Sequence, residues 1–440
     1  MAEKAPVETL ALLERTILQN TARRRKTRPW LAGETVRMAG THDTRKTALV
    51  IGCGIGGPVV AMALQKIGID AIVFEAHEGS AEFAGSFLNT ASNGLDALKA
   101  IDAHHVVLAR GFPTPRMVMW SGSGKRLGEL ANGLRLPDGT VSITVERGHL
   151  HSALRLEALR RGISLEHGKR LVSAEPSDRG VTAHFADGTE AHGDLLIGAD
   201  GIHSRTRHLV DPAAPSPRYT GQLSLGGRAR VTTLPPTPEI FNMIFGRRAF
   251  FGYSVREHGD VYWFANMAWD GETTRESLGS VLPAEWKSKL IDLVAEDAGP
   301  ARDIISATAD ELAAFPVYDM PVVPTWHRDS MVILGDAAHA TSPSSGQGAS
   351  LAIEDAIVLA KCLRDCADVA QALATYERLR RKRVERVVAY SARVGSSKTV
   401  GTVGRWLRDL MMPLALKLFA SPRAHAWLYG YHIDWSERVV

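Results

Sequence analysis

The chain has 440 residues, 45% hydrophobic and 23% charged. This is globular composition, long enough for two domains or one large interleaved body, and it argues against a disordered or fibrous chain. Three cysteines argue against a disulfide framework, and 52 Lys and Arg against 48 Asp and Glu leave a net charge of +4, too small to make nucleic acid the expected partner.

The charge is uneven. Basic residues gather in TARRRKTR, Thr21 to Arg28, so residues 1–46 are expected to form a basic, poorly ordered extension. Leu10, Leu13, Ile17 and Leu18 have helical spacing just before it. No secretory pattern and no membrane-length apolar run follow; Leu410–Ala420 is about half of what a span needs and contains Pro413. The expectation is a soluble cytoplasmic protein, with monomer or homodimer left open.

TALVIG, Thr47 to Gly52, has the pattern of a buried strand. Gly56 to Ile67 reads as a helix, with Pro58 tolerated in its first turn, and DAIVFEA, Asp70 to Ala76, as the next strand. Such a βαβ unit needs a parallel sheet. Gly52, Gly54 and Gly57 form GxGxxG between strand and helix. These glycines allow a tight turn and backbone approach to a pyrophosphate, which the helix N-terminus attracts. Glu75 ends the second strand, where a carboxylate accepts ribose hydroxyls. The motif alone does not separate FAD from NAD.

Ser121–Arg126, SGSGKR, lacks P-loop spacing and reads as a hairpin turn. Leu127 to Val145 reads as two paired strands around Pro137–Thr140, and Arg147 to Arg161 as a helix. Val181 to Asp200 reads as a hairpin at Asp187-Gly188 followed by a buried strand. From Gly221 to Asp270 the pattern changes to antiparallel strands, and a helix follows at Glu285–Asp297. The chain returns to strand at Ser330–Leu334. It then runs through GDAAHATSPSSGQG into a helix from Gly348, and a long charged helix follows at Thr375–Arg393. Cys362 and Cys366 lie four apart on that first helix and read as core thiols rather than metal ligands.

Three loops therefore follow strands: Gly52–Gly57, then Asp200-Gly201 with Ser204 and Arg207, then Gly335-Asp336 with its serine- and glycine-rich continuation. In combination they resemble the three fingerprints of the group A flavoprotein monooxygenases. These have the para-hydroxybenzoate hydroxylase fold and include tetracycline-degrading and polyketide-tailoring enzymes. The resemblance covers about Thr47 to Arg393. It implies an α/β, mixed α+β chain in which a Rossmann-like FAD-binding body, 47–215 and 318–395, interleaves with an antiparallel-sheet substrate domain, 216–317. A C-terminal helical segment, 396–440, would follow.

The resemblance also implies residue roles. Gly52, Gly54, Gly57 and Glu75 would hold the adenosine and pyrophosphate side of FAD. Asp336, after Gly335, would bond the ribityl chain. Gly346, Gly348 and Ala349 would bring a helix N-terminus to the pyrimidine end of the flavin, with Pro343 above the ring. Arg147 would reach the FAD, and Asp200 and Gly201 would serve FAD and nicotinamide together. Ser350 departs from the asparagine common in GQGxN and keeps a short hydrogen-bonding group there.

The implied reaction uses transient NADH or NADPH, O2 and a flavin hydroperoxide whose distal oxygen passes to an apolar aromatic or polyketide-like substrate. No protein nucleophile or metal is required. Met243, Phe251, Tyr253, Trp263 and Asn266 are candidate substrate contacts, although alternating aromatics on a strand are commonly core. The alternatives are a reductase or halogenase on the same fold, or a flavin-containing binding protein. The tryptophan-halogenase motif WxWxIP is absent.

Overall fold

The computed structural model describes residues 46–78, 87–177, 180–271, 273–309, 312–396, 402–419 and 422–440. The expected amphipathic segment at Leu10–Leu18 and the basic cluster lie outside the described residues.

β1 (Thr47–Ile51) passes through the glycine loop into the helix Gly56–Lys66 and returns as β2 (Asp70–Phe74). The strands pair in parallel with Thr47 opposite Asp70. The helix buries every residue from Gly56 to Leu64, because it is packed on both sides. β3 (Phe87–Thr90), β4 (Phe112–Pro113), β5 (Arg116–Ser121) and β6 (Arg126–Ala131) follow, then β7 (Ile143–Glu146) and the helix Arg147–Arg160. β8 (Ser164–Glu166), β9 (Leu171–Ser177), β10 (Gly180–Phe185), β11 (Glu190–Gly193) and β12 (Leu195–Gly198) complete the first half. The second half contains β13 (Arg218–Arg230), β14 (Ile240–Phe245), β15 (Ala249–Val255), β16 (Asp260–Ala268), β17 (Ala313–Asp319), β18 (His327–Arg328) and β19 (Met331–Ile333).

The first sheet has the order β18-β19-β12-β1-β2-β8, with β19, β12, β1, β2 and β8 all parallel. Buried on both faces, its strands read as continuous apolar runs. The second sheet, β17-β13-β16-β15-β14-β5-β6, is antiparallel except where β14 runs alongside β5. One face of it is covered by the helices Pro283–Leu293 and Ala301–Ser306 through Trp286, Leu290, Ile304 and Ile305.

One expectation needs correction. The turn at Pro137–Thr140 forms, with the Leu136 N–H and carbonyl side bonded to Thr140 and Gly139, but its flanks do not pair with each other. β6 pairs with β5, and β7 pairs with β3 and β4. The Ser121–Arg126 turn is the true hairpin, closed by Ser121 N–H donating to the Lys125 carbonyl at 2.9 Å. As a result the second sheet is wider than 216–317, since it recruits β5 and β6 from the earlier segment.

Candidate active site

The sequence-marked loops emerge from the carboxyl ends of adjacent parallel strands: Gly52 after β1, Glu75 after β2, Asp200 after β12, and Gly335-Asp336 after β19. Ligands of open α/β sheets bind at that edge. Gly52 has φ +101°, and a Cβ there would meet the Ala199 carbonyl oxygen at 2.5 Å, so β1 and β12 approach as closely as backbone allows. A Cβ on Gly57 would meet the Gly52 oxygen at 2.0 Å, which seats the helix on the turn. Gly54, by contrast, faces open space. No side chain caps the helix Gly56–Lys66, so its first N–H groups are available to a phosphate.

Glu75 is held at the rim of this space. Its carboxylate accepts the Cys53 N–H at 2.9 Å and the His77 N–H at 3.0 Å, leaving lone pairs for sugar hydroxyls. His151 closes the back of the loop on the Cys53 carbonyl. Cys53 is itself buried, and burial pushes its thiol up to about 12, so it acts as packing rather than as a nucleophile.

Asp200 shapes its own turn. Its carboxylate accepts the Ser204 hydroxyl at 2.6 Å and the Thr206 N–H at 2.9 Å. Ser204 in turn caps the helix Arg205–Val210 by accepting the Arg207 N–H. Arg207 is buried and donates to the Ala337 carbonyl at 3.1 Å and the Ile202 carbonyl at 2.9 Å. Those bonds tie the second loop to the third. Gly201 has φ +77° and faces open space.

In the third loop the Asp336 side chain is exposed, yet burial raises its carboxyl pKa, partly offset by His339 and Arg147. That offset places Arg147, at the start of its helix, within electrostatic reach of Asp336. Gly346 is left-handed at φ 63° and abuts Asn89, while Gly348 opens the helix Gly348–Asp365 with room around it. Ala349 is half-buried in the same first turn, and Pro343 is exposed. A cavity of about 260 Å³ opens beside Ser342, between Tyr219, Gln222 and Gly395.

A buried ionic network supports this loop. Asp355 accepts the Gly335 N–H at 3.0 Å, the His339 imidazole at 2.5 Å and the Arg380 guanidinium at 2.7 Å. Glu354 accepts from Arg380, Arg383 and Asn93, and Asn93 also donates to the Gln347 side chain at 2.9 Å. Ser350 accepts the Ala91 N–H at 3.2 Å, and Gly94 leaves the space its hydroxyl occupies.

Strand parity separates the substrate candidates. β16 turns Asn266 to the same face as Phe264, and β14 turns Met243 to that face too, opposite Gly252 of β15, where it packs on the cluster of Met119, Phe245 and Phe250. Phe251 and Trp263 face the other side. They stack at 5.5 Å within the helix-covered core, and the Trp263 indole donates to Thr308 at 2.9 Å. Tyr253 pairs with Trp263 and shares that face. These three are therefore sheet core rather than substrate contacts.

The face of Asn266 also carries Phe241, Tyr262 and Phe264, not singled out in the sequence, which Phe87 joins at ring distances of 5.7, 6.1 and 6.1 Å. Counting two and four residues back from Asn266 finds Phe264 and Tyr262 on its own face. Two buried atoms have no hydrogen-bond partner in this region, Asn89 Nδ2 and Asn266 Oδ1, and a third, Gln347 Nε2, lies in the flanking loop. Open space at Gly54 and Gly201, the Glu75 carboxylate held by two backbone N–H groups, and orphaned polar atoms fit FAD and a further ligand.

Known proteins agree with this geometry. The family model described as FAD binding domain matches residues 45–391. A 3-amino-4-hydroxybenzoate 2-monooxygenase of Streptomyces platensis is 31% identical over 418 residues, 89% of this chain and 97% of that protein. The aurachin C monooxygenase/isomerase of Stigmatella aurantiaca is 28% identical over 386 residues, 87% and 97% of the two chains. The crystal structure of Klebsiella pneumoniae HpxO with FAD and uric acid superposes with a TM-score of 0.77 at 26% identity, covering 87% of this chain and 97% of that one. The chain belongs to the FAD binding domain family, among the FAD-dependent monooxygenases.

Proposed function

We propose that this monooxygenase inserts one oxygen atom into an aromatic or polyketide-like molecule held between the Gly346 loop and the Phe241–Phe264 face of the second sheet, with NADH or NADPH as transient electron donor. The carrying observation is that face: apolar rings from β3, β14 and β16 converge opposite the loop where the helix Gly348–Asp365 begins.

FAD, when bound, supplies the redox chemistry and the activation of oxygen. The chain supplies position, field and dryness. Gly54 and the helix Gly56–Lys66 would receive the pyrophosphate, Glu75 the ribose, and Asp336 with Arg147 the middle of the cofactor. The N-terminus of Gly348–Asp365 favours negative charge at the ring edge by about 0.3–2 kcal/mol. Phe87, Phe241 and Phe264 exclude water from the oxygen-transfer space. Asn89 Nδ2 and Asn266 Oδ1 would orient a polar substituent of the substrate. On this reading 47–215 and 318–395 carry the cofactor, and 216–317 joined by β5 and β6 carries the substrate.

The test is product mass under labelled dioxygen, with a panel of fused-ring and polyketide-like compounds. One labelled oxygen atom in a product, with substrate-stimulated NAD(P)H oxidation, is expected. Turnover with no label would favour a reductase, and no stimulation by any compound would favour a flavin-containing binding protein.

A further inference from the structure

The helix Thr402–Phe419 has two apolar faces. Met412 and Leu416 pack inward, onto the cluster of Met119, Phe245 and Phe250. Trp406, Leu407, Leu410, Met411 and Leu414 point outward and are 48–68% exposed. Their spacing makes a continuous outer stripe. Nothing among the described residues covers it.

We infer that this stripe docks on an anionic lipid surface. Three observations select that occupant. First, from Trp406 to Leu414 the stripe is one helix wide and about 12 Å long, and the exposed parts of its five side chains fall short of the roughly 800 Å² of accessible surface that a stable dimer takes from each partner. A bilayer interface accepts a single helix face. Second, the exposed cation beside the stripe is Lys417, while the helix's one acid, Asp409, is paired at 2.9 Å with Arg408, which is turned inward, and Arg405 donates to the Arg247 carbonyl. Third, a tryptophan opens the stripe, the residue type that favours the headgroup boundary.

The helix is also anchored to lie flat. Pro413 has no N–H, so the Asp409 carbonyl loses its partner within the helix, and Lys125 donates to that oxygen at 3.3 Å. Arg408 lies over the Phe245 ring at 4.7 Å. Among the described residues no helix is long and apolar enough to cross a membrane, so the contact is peripheral.

The test is co-sedimentation of the full, FAD-loaded chain with vesicles of phosphatidylcholine plus phosphatidylglycerol, and with phosphatidylcholine alone. Binding is expected to favour the anionic vesicles. The double variant Leu410→Glu/Leu414→Glu should keep its flavin and melting temperature, because both side chains are exposed, and lose at least about tenfold in vesicle partitioning. Wild-type chain that stays in the supernatant overturns the proposal. Undiminished binding by the variant assigns the effect to the basic cluster Arg23–Arg28 and also overturns it. So does a wild-type dimer, seen by light scattering, that the variant dissociates.

Discussion

Asp336 is under two opposing demands. Burial raises its carboxyl pKa in the folded chain, and the nearby His339 and Arg147 offset this only in part. A carboxyl whose folded pKa lies above its unfolded value of about 3.9 stabilises the fold only while protonated. That contribution is present in acid and is lost as pH rises through the folded value, so at neutral pH the ionised group opposes folding of the flavin-free chain. Asp336→Asn removes the penalty. The flavin-free variant should melt above flavin-free wild type at neutral pH, with the difference shrinking toward pH 4. The same variant should bind FAD roughly ten- to a hundredfold more weakly, through loss of a charged hydrogen bond. Calorimetry across pH and FAD titration check the two halves separately. Higher wild-type stability at neutral pH would show that the carboxylate is held favourably instead. Arg207 makes a contrasting case, because its work is done on protein. It spans from the Asp200 loop to the Ala337 carbonyl. Arg207→Met should destabilise the chain by about 1.5–3 kcal/mol and loosen flavin as a consequence, which denaturant unfolding of the flavin-free protein will register.

At the scale of elements, the helices Gly348–Asp365 and Val369–Ser396 are joined by ions sealed from water. Arg380, Glu354 and Asp355 are each fully buried. Removing one partner leaves an uncompensated charge, so Asp355→Ala should destabilise by about 3–5 kcal/mol. Asp355→Leu combined with Arg380→Leu should fall well short of the sum of the single changes, because the pair is lost together. Double-mutant unfolding measures the coupling, and strict additivity would contradict it. The sequence made some elements legible and hid others for a physical reason. β1, the helix Gly56–Lys66 and β2 were readable because the glycine spacing and acidic terminus constrain one another. The Asp187-Gly188 hairpin was readable from its turn chemistry. The faces of β15 and β16 were not, because both sides of that sheet are buried, one by the helices Pro283–Leu293 and Ala301–Ser306 and one by Phe87 of β3 and the helix Thr402–Phe419. Apolar residues therefore occupy both parities, and Phe251 and Trp263 look no different in sequence from Phe264. The flanks of Pro137–Thr140 failed differently. Their turn is local, but the choice of partner strand is made by residues far away in the chain.

At the scale of the whole molecule, loops separated by more than a hundred residues meet at one sheet edge, and protein bonds join only some of them. Gly52 packs on Ala199, and Arg207 bonds Ala337, but Gly54 and Gly201 border open space and Asp336 is exposed. A ligand that bridges them binds the folded state alone and stabilises it by RT ln(1 + [L]/Kd), about 2.7 kcal/mol at a hundredfold excess over Kd. The gain should be local, because the core around Trp263, Trp286 and Leu290 lies on the far face of the second sheet and is complete without the cofactor. Removing FAD should therefore lower the melting temperature and release amide protection at Gly52–Gly57, Asp200–Arg207 and Gly335–Gly348. Amides of β15 and β16 should exchange as before. Hydrogen exchange on the flavin-loaded and flavin-stripped chain reads this directly. Equal loss of protection in β16 and in the Gly335–Gly348 loop would mean that the two bodies fold as one cooperative unit around the flavin, and that the far core does not stand on its own packing.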